Sequence, residues 1–205
     1  MASELLKGQL HSTPRNPFMH SVITTLMREH RVIESVLSVL SEYARSIAAG
    51  GPSDRDTVQN FSEFFTRFAD RYHHGKEEDL LFAAMARHGM PTGRGPLGVM
   101  LAEHDEGRRH VRVFTRIAQG SGPLSEEERT AFVDAARAFV PLLGNHIAKE
   151  DNVLYPMALR LLPEDVLGEM IASFDRFELQ ATDRGERIDD LAERLTGTQP
   201  QRSVA

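Results

Sequence analysis

Along most of the chain, apolar residues recur at spacings of three and four, and no segment alternates Val, Ile or Thr with polar residues between turns, so the pattern predicts helices throughout. A first helix is expected from about Pro17 to Ala49, with Phe18, Val22, Ile23, Leu26, Ile33, Val36, Leu37 and Leu40 facing a core. AAGGPSD then stops it and offers Ser53 or Asp54 as the next cap. The second helix carries Val58, Phe61, Phe64, Phe65, Phe68 and Tyr72, and runs toward His88 before the Gly/Pro-rich loop GMPTGRGP. The third spans about Leu97 to Ala118. Ser125 and Glu128 form a capping box for the fourth, which continues toward Leu161 with Phe132, Phe139, Leu143, Val153, Leu154 and Met157 as its buried stripe.

Four long helices joined by short loops predict an all-α, antiparallel up-down-up-down four-helix bundle over 17–162. Residues 1–16 read as a flexible lead-in. Pro163 opens a further stretch, 163–196, in which Val166, Leu167, Met170, Ile171, Phe174, Leu179, Ile188, Leu191 and Leu195 predict one or two additional C-terminal helices packed on the bundle. The tail 197–205 is expected to be disordered.

Composition narrows the chemistry. The 205 residues contain no cysteine, which removes disulfides, thiolate metal sites, iron–sulfur clusters and thiol nucleophiles together. Any metal must be held by nitrogen and oxygen. A net charge of −6, with arginines interspersed among acids, speaks against a nucleic-acid surface. No apolar run is long enough to span a membrane, and the expectation is a cytoplasmic protein.

The candidate chemistry lies in a short internal repeat. HHGKEEDLLFAAM at 73–85 lies over HIAKEDNVLYPMA at 146–158, matching His73 with His146, Lys76 with Lys149, Glu77 with Glu150 and Phe82 with Tyr155. Each copy puts a histidine and a glutamate one turn apart on a helix, where an imidazole nitrogen and a carboxylate converge on one point. On the fourth helix His146 and Glu150 fall within the apolar stripe, and a buried ionised carboxylate requires a cation or a hydrogen-bond network. On the second helix the stripe does not choose between His73 and His74. At 1.5 Å per residue, His30 and His104 lie roughly 18 and 10 Å from the starts of their helices, at a level comparable with the two pairs. One central site is therefore feasible, with donors suited to iron, zinc or manganese. His11, His20, His88 and His110 lie outside the repeat and read as ordinary histidines. Glu78 and Asp79 are expected outside the ligand set, facing solvent or supporting ligands from behind. Pro156, one turn beyond the second pair, is expected to bend the helix near the site.

A lone His, an HxxxE, a second lone His and another HxxxE on four successive helices resembles the hemerythrin-like family with its cation-binding HHE motif. HHGKEEDLLF and HIAKEDNVLYP are similar to its two signatures, over about Phe18 to Arg160. The resemblance implies a ligand set of His30, His73, Glu77, His104, His146 and Glu150 around two non-haem irons, oxo- or hydroxo-bridged. It adds His74 as a seventh donor, because the hemerythrin-like domain of an iron-sensing F-box ubiquitin-ligase subunit uses the residue after its second-helix histidine. Oxygen-carrying members place an HxxxH on the third helix; here that place holds Arg108, and the usual LFP ends in Ala83. The implied function is binding of O2 or a related small ligand at an open iron position, for storage, delivery or sensing. The alternatives are a stress-defence enzyme decomposing hydrogen peroxide or reducing nitric oxide, and a regulatory module read by a protein partner through the C-terminal helices.

Overall fold

A computed structural model describes residues 17–182 and 188–197. The flexible lead-in expected over 1–16 and the tail beyond Gly197 lie outside the described residues. Every regular element within them is helical and no strand occurs there. Helix α1 is Pro17–Ala48. Gly50, at φ +83°, ends it in a left-handed turn that a side chain would strain, and the Gly51 amide donates back to the Ser46 carbonyl. Asp54 caps helix α2 (55–87), its carboxylate accepting from the Thr57 amide at 2.7 Å. Helix α3 is Gly95–Ala118, two residues longer at its start than expected, because Pro96 fits the first turn, where no N–H is needed. Ser125 and Glu128 form the capping box of helix α4 (126–161). Helices α5, Glu164–Thr182, and α6, Ile188–Thr196, follow.

Helix α4 packs on both α1 and α3, and α3 packs on α2. The apolar side chains form two clusters. One holds Ile33, Leu40, Phe61, Phe64, Phe65, Phe114, Phe132 and Phe139; the other holds Leu26, Leu81, Met85, Leu97, Leu154 and Tyr155. The predicted histidines and glutamates lie along the chain between the members of these clusters. Two core expectations fail: Val153 is 49% exposed and Leu179 is 70% exposed. Val153 sits in a widened helical turn that alters the 100° step on which the stripe was drawn.

That widening is the main local departure from sequence expectation. Phe65–His74 and Glu77–Phe82 in α2, and Glu150–Leu154 in α4, are wound as π-helix. All three lie at the candidate ligands, as π-turns often do at functional sites. In α4 the Tyr155 amide donates five residues back to the Glu150 carbonyl, just before Pro156, whose missing N–H makes a regular ladder impossible there.

Helix α5 lies across α1 and against the Glu77–Phe82 segment, while α6 contacts α1 and α2. Phe174 is buried, and a Cβ built on Gly75 would come within 2.7 Å of Phe177 Cζ. This explains the glycine inside HHGKE: a ring from α5 rests on its backbone. Gly75→Ala is therefore expected to lower stability by about 1–3 kcal/mol by displacing Phe177, despite the higher helix propensity of alanine. Denaturant unfolding would check it; a gain in stability would show that α5 yields freely.

Candidate metal centre

His30 from α1, His73, His74 and Glu77 from α2, His104 from α3, and His146 and Glu150 from α4 are all buried, and they meet in two adjoining groups. Donor atoms of His30, His73, Glu77 and Glu150 lie within 4.8 Å of one another, as do those of His74, Glu77, His104 and His146. Glu77 belongs to both. Glu150 lies between them, its Oε2 3.2 Å from both His30 Nε2 and His146 Nε2 and its Oε1 4.0 Å from His104 Nε2. His88 is exposed, and His110 is partly buried beside Phe139; neither joins the groups. The side chains of His11 and His20 lie outside the described residues.

The ambiguity between His73 and His74 ends with both facing inward. A π-helix has more residues per turn, so consecutive side chains diverge by less than the 100° of an α-helix. His73 turns toward His30, and His74 stacks on His104 with ring centroids 3.8 Å apart.

Each imidazole presents one nitrogen inward and its Nδ1 to a carboxylate. His30 Nδ1 is 2.7 Å from Asp151, His73 Nδ1 2.9 Å from Glu29, His104 Nδ1 2.6 Å from Glu78, and His146 Nδ1 3.0 Å from Glu103. His74 Nδ1 lies 3.6 Å from Asp70. Cations hold these carboxylates in turn: Arg31 on Asp151, Lys76 on Glu29, Lys149 on Glu103, and Arg108 on both Asp70 and Glu78. Such backing fixes ring orientation and tautomer and makes the inward nitrogen a better donor. Arg108 ties together the carboxylates behind His74 and His104. Glu78 is thus a supporting group and Asp79 is exposed.

The internal repeat extends to this outer layer. Glu29, His73 and Lys76 correspond to Glu103, His146 and Lys149, while His30 with Asp151 corresponds to His104 with Glu78. Sequence reasoning missed Glu29, Glu103, Asp151 and Asp70. A signal for three of them was present, since EH occurs at 29–30 and 103–104 and ED follows the second lysine at 150–151. The symmetry breaks at Phe82 and Tyr155. Phe82 stacks on His104, whereas the Tyr155 hydroxyl donates to Glu77 Oε1 at 2.7 Å and lies 3.3 Å from His30 Nε2.

Lys76 is fully buried, with Nζ bonded to Glu29, 3.4 Å from Glu178 of α5 and 3.8 Å from the Tyr72 ring centroid. Burial raises Glu29 to about 7, against the opposing pull of Lys76.

Burial pushes every histidine of the cluster down. In His73, His74 and His104 it prevails. In His30 the bonds to Asp151 and Glu150 outweigh it, and in His146 the Glu150 charge and the Glu103 bond do, lifting both to about 9. Burial and the neighbouring Glu150 hold Glu77 well above the usual carboxylate range. Burial opposes ionisation of Glu150 too, but His146 and His30 hold it well below that range.

His73 Nε2, Glu77 Oε2 and both Glu150 oxygens are buried without a hydrogen bond, although imidazole nitrogens stand 3.2 Å from Glu150 Oε2. Unsatisfied groups of this kind are costly and rare in a folded core. These unpaired atoms, on α2 and α4, stand among the inward nitrogens of His30, His104 and His146, and such a cluster fits a cation; a nitrogen and oxygen set suits iron, zinc or manganese.

An all-helical chain with buried His/Glu groups able to hold a metal defines a class, that of helical metal-binding domains. The chain belongs to the hemerythrin family: the hemerythrin HHE cation binding domain matches residues 21–158. It is 22% identical over 169 residues to an uncharacterized protein of Mycobacterium tuberculosis (strain ATCC 25618 / H37Rv), covering 82% of this chain and 66% of that protein. A protein of Mycobacterium bovis matches equally. It is also 39% identical over 90 residues to the iron-sulfur cluster repair protein YtfE of Salmonella newport (strain SL254), covering 42% of this chain and 40% of YtfE. The chain thus spans about two thirds of the mycobacterial proteins and less than half of YtfE. Among the described residues, no helix is long and apolar enough to cross a membrane.

Proposed function

We propose that this chain is a cytoplasmic non-haem di-iron protein that takes O2 or a related small ligand at one open iron position, for storage, delivery or sensing. In this reading 17–162 forms an antiparallel four-helix bundle, with 163–196 packed on it as an extension. His30 and His73 would hold one iron, His74, His104 and His146 the other, and Glu77 and Glu150 would serve both. The supporting observation is the pair of adjoining donor groups with Glu77 common to both. When bound, the two irons supply redox change and an open coordination position.

Two six-coordinate ions offer about 12 positions; five imidazoles and two shared carboxylates fill nine, and a bridging oxygen fills two more. One position remains. The unequal division of histidines assigns it to the half with His30 and His73, where the Tyr155 hydroxyl lies. The carboxylates behind the imidazoles orient them, and Leu26, Leu81, Leu154 and Phe82 form an apolar surround that limits water.

Elemental analysis is expected to give about two irons per chain. The anaerobically reduced protein, mixed with O2, should develop a visible absorption band that disappears when O2 is removed. Zinc or manganese in place of iron would overturn the metal assignment, and immediate irreversible oxidation would overturn carriage.

The similarity to iron-sulfur cluster repair proteins favours a second, enzymatic reading, in which the same centre serves cluster repair or removes peroxide or nitric oxide. Restoration of a damaged cluster by the loaded protein, or sustained O2 evolution from peroxide, lost in each case in Glu150→Ala, would support it over carriage.

A further inference from the structure

A crevice of about 280 Å³ lies beside the candidate centre between α2, α3 and α4. Its lining extends along α3 from Glu103 to Thr115, twelve residue steps or roughly 18 Å at 1.5 Å each. Its floor is apolar, with Phe65, Ala69, Val111, Phe139 and Leu143, and one end is closed by His74, His104 and His146. The space is far larger than a diatomic ligand requires: a water molecule's share of liquid volume is about 30 Å³, and a cavity of about 150 Å³ accepts benzene.

Gly107 makes this room. It lies in the middle of α3, where glycine is a poorer helix former than alanine. Its missing Cβ would stand 3.4 Å from Phe139 Cε2, ordinary contact, so alanine would fit and only a larger side chain would fill the crevice.

The rim is charged, and all but one of its charges are answered. Asp70 pairs with Arg108, Arg108 also with Glu78 and Asp105, and Glu103 with Lys149 and His146. Arg112 is exposed, and no ion pair or hydrogen bond engages it among the described residues. It stands eight residues beyond His104, roughly 12 Å along the axis.

We infer that the crevice binds a linear aliphatic carboxylate of roughly eight to ten carbons, the length that spans this distance. Its carboxylate sits on Arg112, its chain lies over Gly107 between Val111, Phe139 and Leu143, and its far end rests against His74, His104 and His146. The walls are protein side chains, so this binding does not rest on the di-iron reading.

Calorimetric titration of the metal-loaded protein with octanoate tests it, with acetate and 1-octanol as probes of chain and charge. Saturable binding of one octanoate per chain is expected, with acetate and octanol each at least about 10-fold weaker. Arg112→Glu, on the exposed surface, should weaken octanoate by at least about 10-fold, and Gly107→Leu should abolish its binding, with metal content unchanged in both. Non-saturable uptake, equal binding of acetate, or octanoate affinity unchanged in Arg112→Glu would overturn it. Failure of this test would leave iron content and the O2 response untouched, so the two proposals fall separately.

Discussion

Glu150→Ala is expected to lose more than about 100-fold in metal affinity and to abolish the rise in melting temperature that metal confers on the parent protein. Glu150 is fully buried, and its two oxygens reach toward His30, His146 and His104, histidines of both donor groups. Removing it takes away the carboxylate that faces the inward nitrogens of both imidazoles lifted to about 9, leaving each with only the carboxylate behind it, Asp151 for His30 and Glu103 for His146. Glu150→Gln keeps the volume without the charge and should fall between the two. Metal per chain after gel filtration, with thermal melts before and after reloading, would measure both effects. A Glu150→Ala protein that retains the full parental metal content would remove Glu150 from the ligand set.

Legibility in the sequence followed the range of the interactions. Helix caps depend on three or four neighbouring residues, and Asp54 and the Ser125–Glu128 box appear where the sequence puts them. The metal-binding character was legible because two copies of one spacing cannot both be ordinary surface pairs when one copy lies in an apolar stripe. The winding of α2 was not legible. A π-turn is stabilised by what its displaced side chains reach, here His30 from α1 and His104 from α3, and neither is visible in a local window. Hence the stripe calculation could neither choose between His73 and His74 nor find that both are buried, and the π-turn of α4 misplaced Val153 in the same way. The carboxylates behind the imidazoles escaped for a related reason. Glu29 and Glu103 each adjoin a site histidine in sequence but support a histidine on a different helix, so only the repeat carried their signature.

The stability of the metal-free protein should pass through a maximum near pH 6.5 and fall on both sides, and metal should flatten that profile. His30 and His146 are held at about 9 in the folded state against 6.5 unfolded, so the fold binds protons that the unfolded chain has released. Their contribution is complete below pH 6.5 and is lost as the pH rises through 9. Glu29, raised to about 7 from 4.5, acts with the same sign, losing its contribution between pH 4.5 and 7. His73, His74 and His104 act oppositely. Their folded pKa values lie below 6.5, so the unfolded chain binds more protons there and the fold weakens as the pH drops beneath 6.5. Between pH 6.5 and 9 the first pair and the end of the Glu29 titration act in one direction, as does Glu77, held well above the usual carboxylate range, and the expected loss is a few kcal/mol, or ~5–10 °C in Tm. A bound cation replaces those protons, so loading releases them and tightens with rising pH over the same window. Melting curves of chelated and reloaded protein across pH 5–9.5 would measure both profiles. If the chelated protein gained stability between pH 7 and 9, the protonated His30, Glu150 and His146 arrangement would be wrong, and the cluster would be held together without a proton on either imidazole.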